Sequence, residues 1–222
     1  MSRNTVFAID EFYHIYARGN DKRRVFLDTR DYYRLLSLFY LGNSKEIIHL
    51  SDHAGKSLNE LLDIEIKDTL VDIGAYCLMP NHFHLLIKER EECGISKFMQ
   101  KIMTGYTMYF NKKYEKTGSL FSSRFKAIHI NEDNHLKHLL SYIHLNPVKI
   151  TEPNWKENGI LNKIKTGKFL DSYHYSSYLD YCSGIKRKQE KILNTKEFPK
   201  YFNSAWNFKK TIDEYLNVKV EP

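Results

Sequence analysis

The stretch YCLMPNHFHLLIKE, residues 76–89, predicts two strands joined by a tight turn at Pro80 and Asn81. Side chains at positions i and i+2 of a strand point to the same face of its sheet. His82 and His84 therefore project together, while Phe83 points to the opposite face. Two imidazoles on one strand face can provide two nitrogen ligands for a metal ion, although an isolated pair of this kind is more often two exposed histidines.

The segments on either side of this hairpin have the hydrophobic spacing of further strands and helices. Upstream, the sequence predicts a strand within residues 7–20, a helix over 29–42 capped by Asp28 or Thr29, and a short helix within 57–67. Downstream, it predicts a long helix from residue 94 to near Gly118 and a strand over 124–130. A last helix over 131–146, capped at Asn131 or Asp133, is ended by Pro147.

This order of elements, β-α-β-β-α-β-α with residues 43–68 as an insert, resembles a split βαβ arrangement. The expected fold class is therefore α+β, with an antiparallel sheet and helices on one face. Residues 1–150 are predicted to form the core domain. Residues 151–222 are polar and rich in lysine, and we expect a mainly helical C-terminal extension there.

The composition is that of a globular protein with an excess of positive charge. The 222 residues include 34 Lys and Arg against 27 Asp and Glu, which gives a net charge of +7. Cationic residues cluster within 111–126 and 186–200, and the chain carries 16 tyrosines. Rings interleaved with Lys and Arg suit stacking on unpaired bases beside phosphate contacts. A solvated basic face with tyrosines in the core accounts for the same composition.

The sequence predicts neither a membrane span nor a secretory signal, because no apolar run approaches the roughly 20 residues that cross a bilayer. The three cysteines, Cys77, Cys93 and Cys182, are scattered and have no CxxC spacing. This pattern favours a reducing, cytoplasmic location and argues against a cysteine-based zinc site.

The helix predicted over 131–146 carries a polar stripe. His138, Tyr142 and Asn146 are four residues apart and so lie near one side of the helix. Apolar residues that can pack on the sheet occupy another side, namely Leu136, Leu139, Leu140 and Ile143. Tyr142 is a candidate nucleophile one turn before a candidate oxygen ligand, the carbonyl of Asn146. The alternative is a surface tyrosine followed by an asparagine that ends the helix.

Together these segments resemble the HUH single-tyrosine transposases, and in particular the branch related to REP-associated tyrosine transposases. The segments that carry the resemblance are MPNHFHLL (79–86), GSLFSSRFK (118–126), YIHLNPVK (142–149), YHIYARGN (13–20), VFLDTRDY (25–32) and YHYSSYLDY (173–181). The resemblance extends in order over roughly residues 10–182. Residues 43–68 and the C-terminal tail lie outside it.

The resemblance implies a ferredoxin-like core that cuts and rejoins single-stranded DNA. It implies that His82, His84 and Asn146 hold a divalent ion, Mg²⁺ or Mn²⁺, and that Tyr142 attacks a DNA phosphate. The products would be a 5′-phosphotyrosine and a free 3′-OH, and attack by another 3′-OH would rejoin the strands. The implied partner is single-stranded DNA that contains a hairpin, and the chain could act as a monomer or as a homodimer.

Several assignments stay open at the level of sequence. Tyr106, Tyr109 and Tyr114 on the long helix are competing nucleophiles, and His138 is a fourth ligand, a proton acceptor or a DNA contact. Candidate DNA contacts are Arg18 and Asn20, which end the first strand, and Arg124 and Lys126, which alternate on a predicted strand. Two other functions fit the same residues: a DNA-binding regulator without catalysis, and a metal-dependent nuclease in which water attacks.

Overall fold

The structure is a computed structural model, and it describes residues 6–182, 186–202 and 204–217. Its centre is an antiparallel sheet of four strands: β1 (Phe12–Arg18), β2 (Val71–Met79), β3 (His82–Glu89) and β4 (Lys126–Ile130). The order across the sheet is β2-β3-β1-β4. The predicted α+β class with an antiparallel sheet is confirmed, and β3 lies between β1 and β2.

The helices of the core begin and end close to the predicted residues. They are α1 (Thr29–Leu41), α2 (Leu58–Leu61), α3 (Gly94–Tyr114) and α4 (Asp133–Leu145). Asp28 caps α1 in a reciprocal capping box with Asp31. The N-cap of α4 is Glu132, without a side-chain hydrogen bond, so neither predicted cap of that helix is right.

The sheet separates two hydrophobic layers. On one face Ile15, Leu85 and other strand residues pack against α1 and α3. On the opposite face Leu86 and Ile130 pack against α4. The prediction of helices on one face is therefore right for α1 and α3 and wrong for α4. The reason lies in β2, where every residue is buried, because a strand with apolar side chains in both directions needs cover on both faces.

The chain after Pro147 continues as a set of helices. They are α5 (Val148–Thr151), α6 (Trp155–Asn158), α7 (Lys163–Ser172), α8 (Tyr178–Cys182) and α9 (Ala205–Asn217). Their apolar side chains form a third cluster around Trp155, Leu170 and Phe208. The expectation of C-terminal helices is confirmed. Residues 183–185, 203 and 218–222 of the predicted extension, and residues 1–5 of the predicted core, lie outside the described residues.

The segment between α7 and α8 covers the outer edge of β2. The amide of Leu78 donates to the carbonyl of Tyr175 at 2.9 Å, and the amide of Ser177 donates to the carbonyl of Tyr76 at 3.0 Å. These hydrogen bonds satisfy backbone groups that an exposed edge strand would offer to another chain. The proposed division of the chain at residue 150 stays a prediction, since these bonds join the two parts.

Residues 43–68 carry α2 and a short 3-10 helix, Leu50–His53. The side chain of Asn43 attaches this insert to β2, because its amide donates to the carbonyl of Val71 and its oxygen accepts the Val71 amide, each at 3.0 Å. No helix in the described part of the chain is both long enough and apolar enough to cross a membrane.

A buried carboxylate joins α1 to α3. Asp31 is 0% exposed, and its oxygens accept hydrogen bonds from Lys113 at 2.7 Å, Tyr114 at 2.8 Å and Tyr109 at 3.0 Å. Burial raises the pKa of the Asp31 carboxyl, but the hydrogen bonds, with that from Lys113 the largest, outweigh burial and lower the pKa below its usual 3.8. The folded state therefore favours the ionised carboxylate.

We predict that Asp31→Asn lowers the free energy of unfolding at pH 7 by about 3 kcal/mol. The reason is that a neutral amide replaces the buried carboxylate that pairs with Lys113. The pKa of Asp31 is lower in the folded chain than in the unfolded chain. Its contribution is thus fully present above pH 3.8 and is lost as pH falls through the folded value. Urea unfolding at neutral and acid pH measures both effects.

The matched control for this experiment is Asp52→Asn, which removes a carboxylate that is exposed. It should leave stability within about 0.5 kcal/mol of the wild type. A cost of Asp31→Asn that stays constant from pH 7 to pH 3 would show that the ion pair is not its origin.

Candidate functional site

The pairing of β1 with β3 brings polar side chains together on the face that α4 covers. Tyr16 lies opposite His84, and Arg18 lies opposite His82. His14 belongs to the same alternating set of β1, because side chains two residues apart share a face. The site is therefore built on the central two strands of the sheet, where the backbone is hydrogen-bonded on both sides.

His84 forms a direct contact with His14. Nε2 of His14 lies 2.8 Å from Nδ1 of His84, and the two rings are stacked with centroids 5.0 Å apart. Both side chains are buried, at 7% and 5% exposure. Burial, with a smaller contribution from His135, lowers the pKa of His14 to about 4. At neutral pH His14 is therefore an uncharged imidazole.

His82 has its own hydrogen-bonding partner. Its Nδ1 lies 2.6 Å from Oδ1 of Asn81, and a carboxamide oxygen only accepts hydrogen bonds. The proton of the neutral ring is thus on Nδ1, and the lone pair is on Nε2. Burial, and then the positive charges of Arg18 and Lys149, lower the pKa of His82 to about 4. Its ring is nearly perpendicular to that of His84, with centroids 4.9 Å apart.

Helix α4 places Tyr142 over this pair of strands. The predicted apolar side of the helix, which includes Leu139 and Ile143, packs on the sheet. The Tyr142 ring then lies nearly perpendicular to the ring of His84, with centroids 5.6 Å apart, and to that of His14, at 6.2 Å. Burial raises the pKa of Tyr142, and the side chain of Asn146 offsets this only in part.

Asn146 follows Tyr142 by one helical turn and is 3% exposed. Its Nδ2 donates to the backbone carbonyl of Tyr142 at 3.0 Å, which supports the interpretation that this side chain closes the last turn of α4. The same bond commits the amide nitrogen to the helix. The carbonyl oxygen of Asn146 is then the atom with the chemistry of a metal ligand.

The competing tyrosines lie on the other face of the sheet. Tyr106 donates to the carbonyl of Val25 at 2.5 Å, and Tyr109 and Tyr114 both contact Asp31. All three are held in the layer between α1 and α3, away from His82 and His84. Of the candidate nucleophiles, Tyr142 alone packs against the HxH pair.

The other histidines of α4 differ in their surroundings. His138 is exposed. His144 is buried at the far side of the helix, where its Nε2 lies 2.7 Å from Oγ of Ser177 and its ring contacts Phe208 at a centroid distance of 5.2 Å. His144 therefore faces away from the stripe formed by His138, Tyr142 and Asn146.

The candidate DNA contacts fall into two groups. Arg18 and Lys126 are exposed on the face of the site, and Nζ of Lys126 lies 6.0 Å from the centre of the Tyr16 ring. Asn20 contributes instead to the loop after α3, since its Nδ2 donates to the carbonyl of Ser119 at 3.4 Å.

The structure places Arg124 at a different position from the one that the sequence predicts. Strand β4 begins at Lys126, so the prediction that Arg124 alternates with Lys126 on a strand is wrong. The preceding loop docks on the end of β1 through a bond of 2.9 Å from the Ser122 amide to the Arg18 carbonyl. Arg124 instead lines a separate cavity of about 690 Å³ beside Met103 of α3 and Phe121.

Sequence reasoning missed His14, Tyr16 and Lys149. The signal for the first two was present, because His14, Tyr16 and Arg18 alternate in FYHIYAR in the way that His82 and His84 do. What was missing was the knowledge that β1 pairs with β3 in this register. Lys149 follows Pro147, and its approach to His82 depends on the turn between α4 and α5.

The side chains that could hold a metal ion at this site provide two imidazole nitrogens and one amide oxygen. Over the described ranges, no group of three or more His, Cys, Asp or Glu side chains is arranged to hold a metal ion. His82 and His84 share a face, and the neutral state of His82 is the form that ligates. With the oxygen of Asn146, this set has the mixed nitrogen and oxygen character that Mn²⁺ accepts.

Comparisons with known proteins identify a family and a fold to which this chain is similar. Residues 43–146 match the family model described as transposase, IS200-like. The match begins with the insert that the resemblance left out, and it includes His82, His84, Tyr142 and Asn146. A comparison with curated proteins finds no match.

A solved structure of a REP-associated tyrosine transposase bound to a REP hairpin is 13% identical in sequence, with a TM-score of 0.52. The alignment covers 85% of this chain and 90% of that one, and at this identity it shows a shared fold. A tRNA(His) guanylyltransferase from Saccharomyces cerevisiae is 10% identical over 91% of this chain and 84% of its own, with a TM-score of 0.36. Residues 43–146 are thus similar to the IS200-like transposase family.

Proposed function

We propose that this chain is a metal-dependent strand transferase that cuts and rejoins single-stranded DNA, in transposition or in a domesticated equivalent. The catalytic unit is a ferredoxin-like core within residues 1–150. One observation carries the proposal: the ring of Tyr142 contacts that of His84 within the same chain, at a centroid distance of 5.6 Å and nearly at right angles. A nucleophile candidate and a metal-ligand candidate thus meet on one face of the sheet.

In this proposal His82, His84 and Asn146 hold the divalent ion, Mg²⁺ or Mn²⁺. When bound, such an ion supplies Lewis-acid polarisation of the non-bridging phosphate oxygens. The chain's own contribution is to present neutral imidazoles, since the pKa of His82 is lowered to about 4. Imidazole is softer than Mg²⁺ prefers, so Mn²⁺ should bind at least as well.

Tyr142 is the proposed nucleophile. Its phenol oxygen forms a bond to phosphorus while the bond from phosphorus to the 3′ oxygen breaks. The phenol proton is given up and the leaving 3′ oxygen gains one, so the products are a 5′-phosphotyrosine and a free 3′-OH. One phosphodiester replaces another, which allows a second 3′-OH to reverse the step. Because burial raises the pKa of Tyr142, the phenol is protonated in the resting state and loses its proton only at attack.

The proposed substrate is single-stranded DNA that contains a hairpin. The support is the positive rim of the site, formed by Arg18 and Lys126, and the tyrosine at position 16 beside Lys126. The related transposase is bound to a REP hairpin. Asn20 and Arg124 are weaker contacts. A homodimer remains compatible with this function, although Tyr142 and His84 meet without a second chain. A cytoplasmic location remains a prediction of the cysteine pattern.

The central test is covalent capture of DNA by Tyr142. With Mn²⁺ and single strands from the flanks of its own gene, labelled at either end, the wild type should yield an adduct that carries the DNA 3′ of the cut. Tyr142→Phe should yield none, because it lacks the attacking oxygen. A denaturing gel detects the adduct, and mass spectrometry of the linked peptide identifies the residue.

Tyr33→Phe is the matched control, since Tyr33 is 39% exposed and lies on α1; its adduct should equal that of the wild type. Cleavage without an adduct, unchanged in Tyr142→Phe, would replace the proposal with a nuclease that uses water. Binding without cleavage of any flank would instead support the regulator.

The DNA path is tested by the salt dependence of binding. Each phosphate contact that is lost should reduce the slope of log K against log salt by about 0.7 for single strands. We expect this change for Arg18→Gln and for Lys126→Gln, measured by fluorescence anisotropy between about 50 and 200 mM salt.

Lys97→Gln is the control for charge alone, because Lys97 is exposed and pairs with Glu91 outside the site. Its slope should stay that of the wild type. Equal slopes for all three variants would mean that the DNA does not pass along the rim formed by Arg18 and Lys126.

A further inference from the structure

We infer that His14 is a positioning residue for the proposed metal site: its Nε2 accepts the Nδ1–H of His84 and thereby keeps the lone pair of His84 on Nε2. The inference rests on the proposed function for the role of His84, and it adds a residue outside the ligand set. The carrying observation is the distance of 2.8 Å between the two nitrogens, in a pair of side chains that are both buried.

The hydrogen bond separates a positioning role from a ligand role. Its proton lies between the two nitrogens, so the lone pair of the accepting nitrogen is engaged and neither atom of this contact is open to a metal ion. At 2.8 Å, a hydrogen bond joins the nitrogens directly. His14 therefore does not serve as the missing third ligand through Nε2, although it is the histidine nearest to His84 that lies outside the HxH pair.

The direction of this hydrogen bond decides what His84 can do. A neutral imidazole has one N–H and one lone pair, and the bond made by one nitrogen fixes the role of the other. With the proton on Nδ1 of His84, its lone pair is on Nε2, where it can ligate a cation. The opposite direction would place the Nδ1 lone pair toward His14 and a proton on Nε2, which prevents ligation.

His82 makes a similar hydrogen bond through its own Nδ1, with a different partner. Oδ1 of Asn81 accepts from Nδ1 of His82 at 2.6 Å, so the first proposed ligand also carries its proton on Nδ1. Both proposed imidazole ligands thus have a neutral acceptor at Nδ1, Asn81 for one and His14 for the other. Partners of this kind orient metal-bound histidines, and their loss typically weakens metal binding 10- to 100-fold.

The position of His14 in the sheet makes it a firm support. It lies in the middle of β1, which pairs with β3 on one side and β4 on the other. Its ring packs at 5.1 Å from the Tyr16 ring and nearly perpendicular to the Tyr142 ring at 6.2 Å. These contacts restrict the rotation of the imidazole, so the acceptor atom stays aimed at His84.

The test compares two substitutions of His14, one that removes the hydrogen-bond acceptor and one that keeps it. His14→Phe keeps a ring of similar size and removes the acceptor, whereas His14→Gln keeps an acceptor oxygen near the position of Nε2. Titration calorimetry with Mn²⁺ on the full chain should show 10- to 100-fold weaker binding for His14→Phe. Binding by His14→Gln should stay within about threefold of the wild type.

His129→Phe is the control, since it removes an exposed histidine of β4 that pairs with Glu11; it should bind Mn²⁺ as the wild type does. Equal affinity of His14→Phe and the wild type overturns the positioning role, and so does an equal loss in both His14 variants. Absence of Mn²⁺ binding by the wild type overturns the metal site of the proposed function, and this inference with it.

A measurement on the wild type needs no folded variant. Long-range ¹H–¹⁵N correlation spectra of the metal-free protein report which nitrogen of each imidazole carries the proton. We expect protonated Nδ1 for His84 and unprotonated Nε2 for His14. The reverse assignment for this pair overturns the inference, whether or not Tyr142 forms an adduct with DNA.

Discussion

The antiparallel register of β1 and β3 is the constraint on which the rest of the site depends. It sets Tyr16 opposite His84 and Arg18 opposite His82. A slip of one residue would turn His82 and His84 into the apolar layer under α1 and α3, and would expose Phe83 to the site. The burial of Phe83 and Leu85 in that layer therefore specifies the position of the histidines, although neither residue touches the site.

Helix α4 supplies the second half of the site, and it too is positioned by residues outside the site. Its apolar side chains bind it to the face opposite α1 and α3, and this packing fixes the rotation of the helix. Tyr142 is then held over His84 by contacts that are made elsewhere along the helix. The burial that fixes Tyr142 also raises its pKa. On the proposed function, the burial that positions Tyr142 thus disfavours the ionised phenolate that would attack.

The sequence was sufficient for the elements and for the candidate residues of the HxH and α4 motifs, because both rest on local periodicity. It was insufficient where a property depends on pairing between distant segments. His14 became part of the site only through the register of β1 and β3, and Arg124 left the predicted strand because the loop before β4 docks on β1. The position of α4 on the second face follows from the two-sided burial of β2, whose sequence is a nearly continuous apolar run.

The electrostatics of the site show why its proposed ligands and its positive rim belong together. Burial lowers the pKa of His82, and Arg18 and Lys149 lower it further by repelling the charged ring, so the cations that suit a phosphate also help to keep the imidazole neutral. The same cations oppose the approach of a divalent ion. A phosphodiester bound between the cations and the metal ion would offset this repulsion, since its negative charge is attracted by both of them. On the proposed function, substrate and metal therefore favour each other's binding.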